Sequence, residues 1–151
     1  MAKRLFENGL DRGSGAQSGF DLAHHGAGVF FRVSQVHQAG HRFRFLADDG
    51  NVLLIAYVDG DPAGFVTGTE LSHPDKAQPE LFLNELGVDE PYRGRGIGRR
   101  LVVELWQLAQ ARRCRGMWVL TDDDNEAANK VYSAANGVRL RPEVMYQWGE
   151  S

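Results

Sequence analysis

The chain has 151 residues and a mass of 16.8 kDa, which fits one domain of ordinary size. Its 42% hydrophobic and 25% charged residues are close to the globular average and exclude a chain that is disordered throughout. A net charge of -3 excludes a uniformly basic nucleic-acid coat, and the single cysteine excludes internal disulfides and a cysteine-rich zinc site. The unusual feature is the presence of 18 glycines, whose positions therefore need an explanation.

Residues 1–41 are interpreted as a glycine-rich N-terminal segment. Six glycines between Gly9 and Gly28 alternate with polar residues without any apolar period, which predicts loop or poorly ordered backbone. No apolar run of a signal peptide follows the basic start, and the longest apolar run is too short to span a membrane, so we expect a cytoplasmic protein. His37 and His41 are spaced for one helix face, but no third ligand accompanies them and we predict no metal site.

Regular patterns begin at Arg42, and residues 42–151 are predicted to form a single domain. A short helix around Phe45 and a turn lead into three strands. The predicted strands are 52–58, 63–71 and 80–88. The pair Asp59-Gly60 between the first two is a strong hairpin signal.

Two helices alternate with further strands in the second half of the chain. Apolar residues three or four apart predict an amphipathic helix from Gly98 to Arg112, and a second helix is predicted at 127–135. Residues 117–121 are predicted to be a buried strand, and 138–140 with 145–148 a closing pair of strands. This order predicts an α/β or α+β fold with one parallel junction.

The segment Arg93-Gly94-Arg95-Gly96-Ile97-Gly98 lies between the third strand and the first long helix. Three glycines in five residues are poor helix material, but they are suitable where bare backbone must approach a ligand. Free N–H groups and the positive end of a helix dipole favour a phosphate or pyrophosphate, and Arg99 and Arg100 add positive charge. A flexible turn before a solvated basic face is the alternative. The spacing matches neither a P-loop nor a dinucleotide-binding fingerprint.

The glycine segment resembles the signature of a known family. Arg93-x-x-Gly96-x-Gly98 is similar to the Arg/Gln-x-x-Gly-x-Gly/Ala motif of the GNAT superfamily of acyl-CoA-dependent N-acetyltransferases, and Asn125-x-x-Ala128-x-x-x-Tyr132 resembles a second segment of that family. The resemblance covers residues 51–148. It implies a GNAT-like mixed central sheet with splayed parallel strands and helices on both faces.

Short matches at His73-Pro74-Asp75, Asp122 and Glu143-Val144-Met145 resemble aminoglycoside 3-N-acetyltransferase-like members of the superfamily. One departure is that residues 1–41 lack the hydrophobic helical pattern that usually forms a wall of the acceptor pocket. This departure leaves the acceptor open.

The resemblance also assigns site residues. Tyr132 corresponds to the general acid that protonates the departing thiolate, while Glu85 and Asp122 are rival candidates for the general base. Asn125 would cap its helix or contact the pantetheine arm. The residues implied in binding acetyl-CoA are Leu86, Gly87, Val88, Arg93, Gly94, Arg95, Gly96, Ile97, Gly98, Arg99, Asn125 and Tyr132.

The implied function is transfer of an acetyl group from acetyl-CoA to a primary amine by direct attack, without a metal. The acceptor expected from the resemblance is an aminoglycoside or another polycationic small molecule, which would imply a role in antibiotic resistance. A non-catalytic acyl-CoA-binding or sensor module, or a protein or peptide amine acetyltransferase, is the alternative. Because aromatic residues are not interleaved with the arginine cluster, we expect no nucleic-acid partner; we also expect no membrane partner, and a homodimer.

Overall fold

In the described part of the chain, six β-strands form one mixed sheet in which the strands lie side by side in chain order. The computed structural model describes residues 21–22, 29–33, 45–140 and 148, the first two ranges by their backbone alone. The strands are β1 (Asp21–Leu22), β2 (Val29–Val33), β3 (Asn51–Val58), β4 (Asp61–Leu71), β5 (Glu80–Val88) and β6 (Met117–Trp118). Neighbours pair antiparallel from β1 to β5, and β5 pairs with β6 in parallel. The predicted mixed α/β class is confirmed.

The elements predicted between residues 45 and 135 are confirmed within two residues, apart from the strand at 117–121. A 3-10 helix, Phe45–Ala47, precedes β3. The helices are α1 (Ile97–Ala111) and α2 (Glu126–Ala134). Asp59 and Gly60 connect β3 to β4 with φ of 52° and 89°, the left-handed conformations that a tight hairpin turn requires.

Regular structure begins earlier than the sequence predicted. Residues 9–28 were expected to form loop or poorly ordered backbone, yet β1 lies within them and pairs with β2, which follows directly after them. β2 also pairs along β3 from Val29↔Val58 to Val33↔Leu54, so one sheet crosses the predicted boundary at residue 42.

Helix α1 covers one face of the sheet. Leu101 and Leu105 are fully buried there, in a core with residues of β3, β4 and β5. A Cβ at Gly68 of β4 would stand 3.3 Å from Leu105 Cδ1, so this glycine lets the helix pack close to the strands. Side chains alternate along β3 and β4. The second face therefore carries a separate buried cluster, Leu53, Ile55 and Phe65, against which Leu46 and Tyr57 pack.

The strand predicted at 117–121 is much shorter in the structure. Only Met117 and Trp118 pair with β5. Val119 still packs against the core, but Leu120 is 58% exposed rather than buried. The apolar run predicted burial, but pairing depends on a neighbouring strand, and the chain leaves β5 after residue 118.

The closing strand predicted at 138–140 is also wrong. Val138 and Leu140 are 83% and 80% exposed, and the structure assigns no strand to this segment. Its predicted partner at 145–148 lies, except for Trp148, outside the described residues. The pattern indicated the apolar character of Val138 and Leu140, but residues 138–140 adopt no strand conformation.

Candidate functional site

Asn84 is an extra residue in β5. The β4–β5 register pairs Thr67 with Glu85 and Gly68 with Leu83, so Asn84 has no position opposite it. An extra residue of this kind is a β-bulge, which bends the strand and shifts the alternation of side chains and backbone groups by one position. The second half of β5 is therefore turned relative to the first half.

The bulge determines which backbone groups of β5 face away from β4. Asp89 N–H donates to the Ala63 carbonyl beside β4 at 2.9 Å. Because backbone direction alternates along a strand, the N–H groups of Leu86 and Val88 point to the opposite side, toward β6. The Val88 carbonyl on that side accepts from Arg93 Nε at 3.1 Å.

A gap opens beside these N–H groups. The parallel pairing of β5 with β6 consists of Leu81↔Met117 and Phe82↔Trp118 and goes no further. Within the described part of the chain, residues 83–88 have no strand partner on this side. The prediction of splayed parallel strands is confirmed.

Gly94 and Gly96 determine the shape of the loop before α1. Their φ angles of 75° and 76° are left-handed, and a Cβ at either position would meet nothing within 4 Å. Gly96 is the N-cap of α1, where no side chain caps the helix. The N–H groups of residues 94–99 donate no hydrogen bond to any described residue. These N–H groups are available to an anionic ligand at the positive end of the helix dipole.

Two arginines of the loop are held by the protein itself. Arg93 is exposed, but its Nε donates to the Val88 carbonyl as described above. The Arg95 guanidinium lies 5.6 Å from the centre of the Tyr92 ring. A guanidinium over an aromatic face gains a cation–π interaction while its N–H groups stay accessible. The loop therefore adds positive charge beside the free backbone donors.

Gly98 marks the point where β5, α1 and α2 meet. A Cβ there would lie 3.5 Å from Val131 Cγ2 and 3.6 Å from Val88 Cγ2. Arg99 Nε donates to the Ala134 carbonyl at 2.7 Å, which fixes the C-terminal turn of α2 to the start of α1. The end of β5, the glycine loop and α2 therefore form one site.

Tyr132 lies on α2 and packs against the core that α1 covers. Burial raises the pKa of its hydroxyl above the ordinary value of 10.0, so it carries its proton at neutral pH. Its hydroxyl has no hydrogen-bond partner among the described residues. Gly137 N–H donates to the Tyr132 carbonyl at 2.9 Å after a left-handed Asn136 (φ 66°), and this motif ends the helix.

Asn125 caps α2. Its Oδ1 accepts from Ala128 N–H at 3.1 Å, as one of its two predicted roles required.

We expect Asn125→Ala to lower the free energy of unfolding by about 1 kcal/mol, because the Ala128 N–H loses its acceptor. Asn125→Asp keeps the acceptor and should keep the stability. Urea unfolding of both variants tests this prediction, and equal losses would contradict the capping role.

The two candidates for the general base lie in different environments. Glu85 is exposed on β5, in register with Thr67, on the face opposite α1. Asp122 lies in an exposed turn four residues beyond β6, where its carbonyl accepts from Asn125 N–H at 3.1 Å. Of the two, Glu85 lies on the strand that borders the gap. It is on the face of the sheet opposite α1, whereas Tyr132 packs on the face that α1 covers.

Cys114 belongs to the core rather than to the site. It is buried, and desolvation raises the pKa of its thiol, with Glu70 adding to the rise and Arg112 opposing it. A thiol of this kind is a poor nucleophile at neutral pH. Cys114 therefore acts as a small apolar residue of the core.

Sequence reasoning missed the bulge and what it creates. A bulge depends on pairing between two strands, so nothing in residues 80–88 alone indicates it. Asn84, exposed next to the exposed Glu85, interrupts the alternation of this strand, but two adjacent polar residues do not by themselves identify a bulge. Its Nδ2 donates to Thr69 Oγ1 at 2.8 Å, on the same face as Glu85.

A mixed sheet with a bulged strand, a gap beside it and an anion-binding glycine loop defines a class of acyl-CoA-binding proteins. The sequence model of the acetyltransferase (GNAT) family matches residues 23–137. The chain belongs to this family, as the resemblance implied.

The comparisons also identify individual relatives. An acetyltransferase of Pectobacterium atrosepticum is 33% identical over 89 residues, which cover 59% of this chain, and the chain spans 59% of that relative's length. A solved aminoglycoside acetyltransferase from an uncultured soil metagenomic sample is 26% identical, with a TM-score of 0.66 over 76% of this chain and 77% of that one. AAC(6')-Iy in complex with the bisubstrate analogue CoA-S-monomethyl-acetylneamine is 23% identical, with a TM-score of 0.62 over 70% of this chain and 74% of that one, a likeness of fold.

The described residues contain neither a candidate metal site nor a candidate membrane-spanning helix. No group of three or more His, Cys, Asp or Glu side chains among them could hold a metal ion. Neither of the two described α-helices has the length and apolar character needed to cross a membrane.

Proposed function

We propose that this chain is an N-acetyltransferase that moves the acetyl group of acetyl-CoA to a primary amine by direct attack. The observation that carries the proposal is the continuity of the glycine loop with the gap beside β5. Free N–H groups at residues 94–99 suit a pyrophosphate, and those of Leu86 and Val88 suit the amide and thioester groups of an extended arm. No other segment of the described chain combines these features.

The proposed chemistry needs three groups of the protein. Glu85 takes a proton from the amine, directly or through water, and the amine nitrogen attacks the thioester carbonyl carbon. Val88 N–H donates to the carbonyl oxygen as negative charge develops there. When the C–N bond has formed and the C–S bond breaks, the Tyr132 hydroxyl gives its proton to the departing thiolate.

The proposed acceptor is a cationic small molecule of the aminoglycoside type. The exposed carboxylates of Asp122 and Asp124 follow β6 and suit such a substrate. Their neighbours are paired within the chain, Asp123 with Arg139 and Glu126, the first residue of α2, with Lys130. The names of the solved relatives support the same substrate class for those proteins. The homodimer, the cytoplasmic location and the domain boundary at residue 42 stay predictions from the sequence.

Glu85→Gln tests the assignment of the base. We expect kcat/KM for the amine to fall by about a hundredfold or more, because the amide cannot accept the proton. Asp122→Asn is the matched comparison, in which the loss of one acceptor carboxylate should raise KM for a cationic amine modestly and leave kcat unchanged. Release of free thiol from acetyl-CoA is measured across a panel of aminoglycosides, polyamines, amino acids and peptides. The opposite ranking of the two variants would move the base to Asp122.

The same assay tests the function itself. Acetyl-CoA should raise the melting temperature of the protein, and at least one amine should be acetylated. Stabilisation by acetyl-CoA without turnover on any amine would instead support an acyl-CoA-binding module.

A further inference from the structure

An aromatic pair stands at the closed end of the gap. Phe82 and Trp118 are the last residues at which β5 and β6 pair, and their ring centres are 4.5 Å apart at an angle of 38°. Phe82 is in register with Thr69 of β4, so both rings lie on the face opposite α1. Trp118 is 40% exposed, although Phe82 holds its ring in place. The core that α1 covers does not use this pair.

Polar groups adjoin the aromatic pair on the same face. Thr69 pairs with Phe82 and Thr67 with Glu85, so the carboxylate lies two residues of β4 away from the rings, about 7 Å along the strand. Between them the exposed Asn84 amide donates to Thr69 Oγ1 at 2.8 Å. An indole face, an amide and hydroxyl pair, and a carboxylate therefore follow one another along one short surface.

We infer that Trp118 is the binding platform for the acceptor and that the acceptor amine is carried on a hydroxylated ring, as in an aminosugar. A six-membered sugar ring with its substituents is about as long as the distance from the indole of Trp118 to the carboxylate of Glu85. Its apolar face can therefore cover Trp118 while its amino group reaches the carboxylate. Its hydroxyl groups then meet Asn84 and Thr69. A few polar groups beside an aromatic surface are typical of small-molecule sites. The inference rests on the proposed function and assigns its acceptor side to specific residues.

Kinetics with two amines test the inference. Glucosamine supplies the hydroxylated ring, and putrescine is a linear amine without one. In Trp118→Ala we expect KM for glucosamine to rise about tenfold, the size of a lost aromatic contact, while KM for putrescine and for acetyl-CoA stays unchanged. Equal rises for both amines, or no change for either, would overturn the inference.

Indole fluorescence provides a second measurement that does not need turnover. The chain has 3 tryptophans, and Trp106→Phe is the matched control because Trp106 packs against the core on the other face. Glucosamine added to the protein with bound CoA should change the fluorescence of the wild type and of Trp106→Phe, but not of Trp118→Phe. A protein that acetylates neither amine but gives this fluorescence pattern would refute the proposed function and keep the subsite. If the Trp118 fluorescence does not respond, or if Trp118→Ala dissociates a dimer, the surface serves something other than the acceptor.

Discussion

Replacing Gly96 by glutamate should abolish the binding of acetyl-CoA. The carboxylate would add negative charge among the free N–H groups where the pyrophosphate is expected, and the left-handed φ of 76° would be strained in any residue with a side chain. Each charge-assisted hydrogen bond is worth about 1.5–3 kcal/mol, so losing two of them weakens affinity by roughly a hundredfold or more. Isothermal titration calorimetry with acetyl-CoA measures this loss.

Gly60→Glu is the matched control for that experiment. Gly60 has a φ of 89°, and, as at Gly96, a Cβ there would meet nothing within 4 Å, so the two substitutions carry similar backbone strain. Gly60 lies in the turn between β3 and β4, and its variant should keep the affinity for acetyl-CoA. Both variants should lose similar stability, about 1–2 kcal/mol. Full affinity in Gly96→Glu would remove the glycine loop from the site.

Tyr132→Phe should lower kcat by about a hundredfold or more while the affinity for acetyl-CoA changes little. The phenyl ring keeps the packing against the core, but the departing thiolate loses its proton donor. Steady-state kinetics with one amine and calorimetry with acetyl-CoA separate the two effects. Tyr92→Phe, which removes the hydroxyl of another tyrosine while keeping its ring beneath Arg95, should keep its kcat.

The pH profile gives an independent test of Tyr132. Burial raises its pKa, so the wild-type kcat should hold through pH 10.0 and fall only when the hydroxyl ionises above that value. The same shift leaves stability unaffected at lower pH and reduces it as pH rises past 10.0, because the unfolded chain releases this proton first. In Tyr132→Phe, the fall of kcat and the loss of stability that this hydroxyl causes at alkaline pH should both disappear. A wild-type kcat that does not depend on this ionisation would remove Tyr132 from the acid role.

The two halves of the central strand differ in how well the sequence predicted them. Leu81 and Leu83 stand two positions apart in a strand, so their burial on one face was readable from the sequence. Continued alternation from Leu83 would place Glu85 on the face that α1 covers, but the bulge at Asn84 places it on the opposite face, where it is exposed. A one-residue shift of this kind comes from the partner strand and has no local signature.

The sequence by itself determined the glycine loop, the helix behind it, the Asp59-Gly60 hairpin and the capping asparagine. Each of these depends on backbone conformations or hydrogen bonds within a few residues, which residue type controls directly. Only the tertiary structure decided that β6 ends at Trp118, that β5 is bulged, and that the N–H groups of Leu86 and Val88 face a gap. Pairing between strands far apart in the chain decides these features. The pattern of 18 glycines therefore predicted a site for an anion, whereas the surface that we propose for the amine could be recognised only once the strands were in register.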